Sequence, residues 1–235
     1  MIGFADFEAF LKASFPDMTD GMVERFRLMD AGYRDWNAKI NVISRKDIDS
    51  LYDHHVLHSL AIAEYLRTQR PEVYSMFTAP LQEGSVAPVS SSTNVNASRA
   101  GLRVLDLGTG GGFPGIPLAV MFPDVRFTLC DSVGKKTIVA REIANMLGLD
   151  NVEIVNARAE SLPGRFDFVV SRAVASLTDF YPWVKGKYSQ SILYLKGGDL
   201  TDELARTRQT WREYPISAFF DEEFFETKKV VYTSR

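Results

Sequence analysis

The stretch that decides the fold is "VLDLGTGGGFPGIPLA", residues 104–119. Five glycines and two prolines lie within twelve of these residues, directly after an apolar run typical of a buried strand. Pro114 and Pro117 suit the first turn of a helix, where the backbone has no N–H donor to lose. Glycines before that helix permit positive φ and let a ligand lie against the main chain. The stretch therefore predicts a strand, a ligand-binding turn and a helix.

Downstream of this stretch, short apolar runs alternate with segments of helical length. This alternation predicts a parallel sheet with helices on both faces. The runs are "RVLDL", "RFTLC", "VEIV", "FDFVV" and "ILYLK". Two later runs, "ISAFF" and "KVVYT", are separated by too few residues for a crossover helix, so we expect them to form an antiparallel pair at the end of the sheet. Seven strands with this final pair indicate an α/β fold of the Rossmann-like class I methyltransferase type, rather than a six-stranded dinucleotide fold.

The first third of the chain has a different pattern. Apolar residues recur at helical spacing over 4–14, 20–36 and 47–69, and no run predicts a strand. A following stretch rich in Ser, Pro and Asn has no periodicity, which favours a flexible connection. We therefore predict three regions: an N-terminal helical region at 1–77, a linker at 78–101 and a methyltransferase domain at 102–235.

Composition limits the class of protein. The 235 residues include one cysteine, so no disulfide can form within the chain. The N-terminal segment lacks the features of a signal peptide, and no apolar stretch approaches the roughly 20 residues of a membrane span. We therefore expect a soluble, cytoplasmic monomer without a membrane partner. The net charge of −3 argues against non-specific coating of nucleic acid, so any such contact must be local.

The glycines allow two ligand classes. Gly110, Gly112 and Gly115 match the dinucleotide pattern G-x-G-x-x-G, but this match is weak and its register is wrong, since the strand is expected to end at Leu107. The pattern acidic-x-Gly-x-Gly-x-Gly, which is typical of S-adenosylmethionine sites, fits in full from Asp106. The sequence therefore favours S-adenosylmethionine, with the amino-acid part of the ligand over the loop.

Two further elements support an adenosyl ligand. Asp131 ends the next strand, 23 residues after Gly108, where a carboxylate can accept both ribose hydroxyls. The alternative for Asp131 is to cap the helix that follows it. Ala159 and Glu160 come after the third strand, where the adenine edge would lie.

Four segments carry a family resemblance: "DLGTGGGFPGIPLA", "LCDSVGKK", "NARAE" and "SRAVASL". They closely resemble the bacterial 16S ribosomal RNA guanine-N7 methyltransferase family, also called the GidB family, over roughly residues 20 to 200. The resemblance implies an S-adenosylmethionine-dependent enzyme of rRNA processing that methylates 16S rRNA, either free or in a small-subunit assembly. It also implies cofactor contacts at Gly108, Phe113, Ala159, Glu160 and Arg172; the residue pattern adds Gly110, Gly112 and Asp131.

The residues also bear on the acceptor atom. Guanine N7 already has a lone pair, so its methylation needs positioning and no base. The Asn/Asp-Pro-Pro-Tyr/Phe motif is absent after the fourth strand, which argues against methylation of exocyclic adenine amines. Methylation at C5 of a pyrimidine would need a cysteine nucleophile, and Cys130, the one cysteine, falls in a predicted buried strand. Arg172 follows the fourth strand and is a candidate catalytic residue that positions the base, contacts the cofactor or forms a surface ion pair. The alternative function is a methyltransferase acting on a small molecule or another RNA.

Several polar residues are candidates for RNA contact. They are Lys196, Asn37, Asn41, His55, Lys135 and Lys136. Other roles remain open: a solvated strand end for Lys196, a local fixing role for the two asparagines, and a solvated helix face for Lys135 and Lys136. His54 and His58 are four residues apart and could share a metal. No other ligands accompany them in sequence, and the reaction needs none, so we expect no metal.

Overall fold

Helices form the N-terminal part of the protein. The computed structural model describes residues 2–80 and 101–234. A π-helical turn over Leu51–Leu57 leads directly into the third helix. The helices of this part are α1 (Phe4–Ser14), α2 (Asp20–Lys39), α3 (His58–Gln69) and α4 (Pro71–Thr78). The helical spacing seen in the sequence is confirmed for the first three, whereas α4, which begins with a proline, was not predicted.

The rest of the described chain builds one seven-stranded sheet in the order β3-β2-β1-β4-β5-β7-β6. Its strands are β1 (Arg103–Leu107), β2 (Arg126–Asp131), β3 (Val152–Asn156), β4 (Phe166–Arg172), β5 (Tyr188–Gly197), β6 (Arg212–Pro215) and β7 (Lys228–Ser234). The first five strands pair in parallel, and β7 runs antiparallel to both β5 and β6. The predicted α/β fold of the class I methyltransferase type is confirmed.

One strand was predicted in the wrong place. The run "ISAFF" is not a strand: Ile216–Ala218 form a 3-10 turn, and β6 lies just before it. The Ile216 carbonyl accepts the N–H groups of Phe219 and Phe220, so the chain bends instead of extending. Ile216 and Phe220 are buried together in the hydrophobic core. A short apolar run fits a buried turn as well as a strand, which explains the error.

Two hydrophobic clusters lie on the two faces of the sheet. The first joins the sheet to the N-terminal helices, and Phe77 of α4 stands 4.9 Å from Phe168 of β4, measured between ring centres. The second packs Phe180 against Tyr194 of β5, with 4.5 Å between the ring centres. The remaining helices are α5 (Gly115–Met121), α6 (Gly134–Met146), α7 (Leu177–Val184) and α8 (Thr201–Ala205). The N-terminal region therefore shares one core with the sheet.

The predicted linker at 78–101 lies almost wholly outside the described residues, so its role stays a prediction. Among the described helices, none combines the length and the apolar character that crossing a membrane requires.

Candidate functional site

A cleft of about 590 Å³ opens at the carboxyl ends of β1, β2 and β4. This is the edge where parallel sheets bind their ligands, and the volume falls within the range of small-molecule sites. Its lining includes most of the predicted cofactor residues: Gly108, Gly110, Phe113, Asp131, Ala159, Glu160 and Arg172. Residues separated by up to 64 positions in the sequence thus meet at one site.

The glycine loop presents bare main chain to this cleft. Gly108 and Gly110 have φ values of +73° and +58°, which favour glycine strongly. A Cβ built on Gly110 would meet no atom within 4 Å, so the space in front of this residue is the cleft itself. Gly108 lies against Val174: a Cβ added at residue 108 would be 2.3 Å from a methyl carbon of Val174. Gly110 is therefore the position where a ligand can approach the backbone most closely.

Gly112 has a different place from the one predicted. It does not line the cleft. A Cβ on Gly112 would stand 2.3 Å from Ile116 Cδ1 and 3.1 Å from the Tyr33 hydroxyl. The residue therefore permits close packing of the loop against α5 and α2. The sequence pattern could not separate this packing role from a ligand role, because both require glycine.

Two carboxylates hold the loop in shape. Asp106 is fully buried, and its Oδ2 accepts hydrogen bonds from Thr109 Oγ1 at 2.6 Å and the Gly115 N–H at 2.8 Å. Burial raises the pKa of Asp106 to about 7, against the lowering effect of these two hydrogen bonds. Asp131 Oδ2 accepts the Gly110 N–H at 2.9 Å, while its Oδ1 accepts the Val133 N–H at 2.8 Å. Asp131 thus supports the loop, starts the turn into α6 and borders the cleft.

Residues that follow β3 in the chain form another wall of the cleft. Ala159 begins a 3-10 turn that ends at Ser161. Ala159 is buried, whereas Glu160 is exposed, and both line the cleft. Trp183 of α7 also contributes to the lining, a residue that the sequence patterns did not single out.

Arg172 is held by the N-terminal region. Its guanidinium donates to the His54 carbonyl at 3.3 Å and to His55 Nδ1 at 3.1 Å, and it lies 5.0 Å from the centre of the Phe113 ring. Because His55 Nδ1 accepts, its Nε2 carries the proton and donates to Asp47 Oδ2 at 2.7 Å. Burial lowers the pKa of Arg172 to about 10, so the side chain remains charged at neutral pH. It faces the cleft without a direct carboxylate partner among the described residues.

This chain of contacts changes the role expected for His55. Both ring nitrogens are used within the protein, and the residue is buried, so it does not offer a free group to RNA. Burial and the neighbouring Arg172 lower the pKa of His55 to about 4, which keeps the imidazole neutral. Asp47, which binds both His54 and His55, was not identified from the sequence because its partners are seven and eight residues away.

Lys196 also differs from the prediction of a phosphate contact. Its Nζ donates to the Ala175 carbonyl at 2.9 Å and pairs with Glu203, and its side chain is only 10% exposed. The neighbouring Tyr194 hydroxyl accepts the N–H groups of Val174 and Ala175. These side chains fix the loop after β4, which directly follows Arg172, the last residue of that strand.

The remaining RNA candidates divide into two groups. Asn37 is occupied: its Oδ1 accepts the Val42 and Ile43 N–H groups, and its Nδ2 donates to the Ile43 carbonyl. This is the local fixing role that the sequence left open. Asn41 and Lys135 are exposed, and Lys136 lines the cleft, so their RNA contacts remain predictions.

The loop that Asn37 fixes forms part of the site. Val42 lines the cleft and lies against Gly111. From α2, the Tyr33 hydroxyl donates to the Gly111 carbonyl at 3.0 Å, and the Tyr33 ring stacks on Phe113 at 4.7 Å. The N-terminal helices therefore shape the glycine loop directly.

The cysteine and the possible metal ligands can also be located in the structure. Cys130 is fully buried in β2, and burial raises the pKa of its thiol to about 11, so it is not available as a thiolate. Within residues 2–80 and 101–234, no group of three His, Cys, Asp or Glu side chains has the geometry of a metal site.

Comparison with known proteins identifies the family. A sequence model of the GidB family, described as rRNA small subunit methyltransferase G, matches residues 85–226. The chain belongs to the GidB family. Proteins named ribosomal RNA small subunit methyltransferase G are its relatives in Flavobacterium psychrophilum, 47% identical over 93% of both chains, and in Christiangramia forsetii, 46% identical over 94% of both chains.

Membership of the GidB family agrees with the fold. The solved structure of magnesium protoporphyrin IX methyltransferase from Synechocystis, with bound S-adenosylmethionine, is similar with a TM-score of 0.55. The alignment covers 93% of this chain and 98% of that protein at 12% identity, so the likeness concerns the fold alone. The chain thus shares its fold with this methyltransferase, and its cleft lies at the edge where parallel sheets bind their ligands.

Proposed function

We propose that this protein transfers the methyl group of S-adenosylmethionine to N7 of a guanine in 16S rRNA of the small ribosomal subunit. The observation that carries the proposal is the glycine-loop cleft in a chain that aligns over nearly its full length with rRNA methyltransferases. We place the reaction in the cytoplasm, where the rRNA is available.

The cleft residues fit the cofactor. The open space before Gly110 suits the amino-acid part of the ligand, since no side chain intervenes. Asp131 borders the cleft with a carboxylate that can accept the two ribose hydroxyls. Ala159 and Glu160 would border the adenine edge. Bound there, the cofactor supplies a methyl group on a positively charged sulfur.

The protein's own residues would do the positioning. Arg172 has free donor capacity on its cleft side, because His54 and His55 engage only two of its N–H groups. A guanidinium N–H can donate to guanine O6, which leaves the N7 lone pair free to attack the methyl carbon. No proton has to leave N7, so methylation at this acceptor needs positioning of the base and no proton-abstracting group. The protonated thiol of Cys130 argues against attack by a cysteine on a pyrimidine ring.

The decisive experiment maps N7-methylguanine in rRNA from cells with and without this gene. We expect one 16S position to lose its modification and to regain it when the intact gene is supplied. A gene that encodes the Arg172→Ala variant serves as the control. It supplies the protein without the proposed positioning residue, so it should not restore the modification.

Purified protein then distinguishes the alternatives. Methyl-labelled cofactor is incubated with free 16S rRNA, assembled small subunits, large-subunit rRNA and a small-metabolite extract. Transfer to 16S rRNA or to small subunits supports the proposal. Label that appears only in large-subunit rRNA indicates another RNA substrate, and label only in the extract indicates a small-molecule methyltransferase.

A further inference from the structure

A short exposed turn stands beside the cleft. The Ser44 carbonyl accepts the N–H groups of Asp47 at 2.8 Å and Ile48 at 3.1 Å, which closes the turn. Its two ends are fixed at the site: Val42 lines the cleft on one side, and Asp47 binds His55 on the other. We call residues 44–47 the basic turn, because its two central residues are Arg45 and Lys46.

The two cations of the basic turn are exposed and unpaired. Neither forms an ion pair with any residue that the structure describes. The acidic groups close to them in sequence are already engaged: Asp47 with His54 and His55, and Asp49 with Arg34 at 2.7 Å. A ligand can therefore bind Arg45 and Lys46 without breaking an existing ion pair.

Other cations of the N-terminal region are in a different state. Lys12 pairs with Glu8, Arg34 pairs with Asp30, and Lys39 pairs with Asp35. Each of these is satisfied by a carboxylate on its own helix. Arg25 forms no ion pair with a described residue either, but its guanidinium donates to the carbonyls of Leu147 and Gly148. Arg45 and Lys46 are thus unpaired close to Val42, which lines the cleft, in a protein whose net charge is −3.

The basic turn is also held in one conformation. The side chain of Asn37 makes three hydrogen bonds to the backbone of Val42 and Ile43, at 2.8 to 2.9 Å. A preorganised loop loses little conformational entropy when it binds a ligand. Two other contacts connect the turn to Arg172: His55 donates to Asp47 and accepts a hydrogen bond from Arg172.

We propose that the basic turn binds the phosphate backbone of the RNA substrate through Arg45 and Lys46. The identity of the ligand rests on the function proposed above. Because the turn is connected to Arg172, phosphates held there would set the position of the strand while one base enters the cleft. Phosphate contacts fix orientation and supply affinity without reading sequence.

The test is a charge reversal, Arg45→Glu with Lys46→Glu. The matched control is Arg165→Glu with Arg212→Glu, which makes the same change in net charge. Both control residues are exposed. Arg165 directly precedes β4, at the edge of the sheet opposite the cleft, and Arg212 begins β6, the outermost strand, which is separated from β1 by three other strands. For each variant we measure direct binding of a 16S rRNA fragment by fluorescence anisotropy across a range of salt concentrations, and binding of S-adenosylmethionine by calorimetry.

The basic-turn variant is expected to bind RNA at least about tenfold more weakly than the control. Its plot of log affinity against log salt should be shallower by about 1 to 2, as expected for the loss of two phosphate contacts. Its affinity for S-adenosylmethionine should stay within about twofold, which shows that the cleft is intact. RNA affinity and salt slope equal to those of the control would overturn the inference.

The outcome is separate from that of the proposed function. RNA binding is measured without methyl transfer, so the role of the turn is tested whatever base is modified. Conversely, the protein could methylate 16S rRNA while the basic-turn variant binds RNA as tightly as the control does. That result would support the proposed function and refute this inference.

Discussion

The substitution Gly110→Ala tests whether the ligand lies against the glycine loop. Gly110 has φ of +58°, and an added Cβ would meet nothing within 4 Å. Gly148, just beyond α6, gives a matched control, since its φ is +61° and it too has open space where a Cβ would project. The two positions impose the same backbone cost and differ in what the new methyl group faces: the cleft in one case, solvent in the other.

The expected magnitudes follow from this comparison. A left-handed conformation costs a non-glycine residue about 1 to 2 kcal/mol, so both variants should lose a similar free energy of unfolding. At Gly110 the methyl group also occupies space that the cofactor needs. Crowding a fitted site by one methyl group costs about 1 to 3 kcal/mol. The dissociation constant for S-adenosylmethionine should therefore rise by about 5- to 150-fold in Gly110→Ala alone.

Two measurements decide the matter. Urea unfolding gives the stability of both variants, and isothermal titration with S-adenosylmethionine gives their affinities. Equal stability losses combined with weak binding in Gly110→Ala would support the proposed position of the cofactor. Equal cofactor affinities in the two variants would refute it, because the methyl group at residue 110 would then touch nothing that binds.

Three further predictions concern Arg172 and the groups that hold it. Arg172→Lys keeps the charge but loses the paired contacts to two neighbouring groups, so turnover should fall at least about tenfold while the protein stays folded; unchanged turnover would show that Arg172 does not position the substrate or the cofactor. Tyr194→Phe leaves two backbone N–H groups of the loop after β4 without their acceptor, so it should lower both the free energy of unfolding, by about 1 to 3 kcal/mol, and turnover. Full turnover in this variant would separate the loop from catalysis. The third prediction concerns pH. Burial beside Arg172 lowers the pKa of His55 from 6.5 to about 4, so between these pH values only the unfolded chain takes up the proton. The free energy of unfolding should therefore fall as the pH drops from 6.5 to 4. His55 contributes up to about 3 kcal/mol to this fall, so His55→Gln should flatten the pH dependence of urea unfolding, and an unchanged slope would contradict the assignment.

Local patterns in the sequence were sufficient for the five parallel strands and the glycine loop. The strands β1, β2, β4 and β5 were predicted because parallel strands that lie inside a sheet produce continuous apolar runs. The cleft could be located because the glycine pattern begins where β1 ends, and ligands bind at that edge of a parallel sheet. Neither inference needs knowledge of distant contacts.

Contacts between distant residues were beyond such patterns. His55 and Arg172 are 117 residues apart, and nothing in either local sequence shows that one accepts a hydrogen bond from the other. Lys196 illustrates the same point at short range. A cation at a strand end suggests a free charge, but the chain turns back into α8 and brings Glu203 to it. A residue type predicts which interactions are possible, and the tertiary structure decides which partner is present.

The contacts around the cleft also argue against treating the N-terminal helices as a separate RNA-binding arm. Tyr33 and Val42 support the glycine loop, while Asp47 and His55 hold Arg172. These groups connect the N-terminal region to the glycine loop and to Arg172, and the N-terminal region and the sheet share one hydrophobic core. Removal of the helices would therefore expose that core and release the loop and the arginine together. The region that is expected to meet RNA is thus also the region that holds the cofactor site in shape.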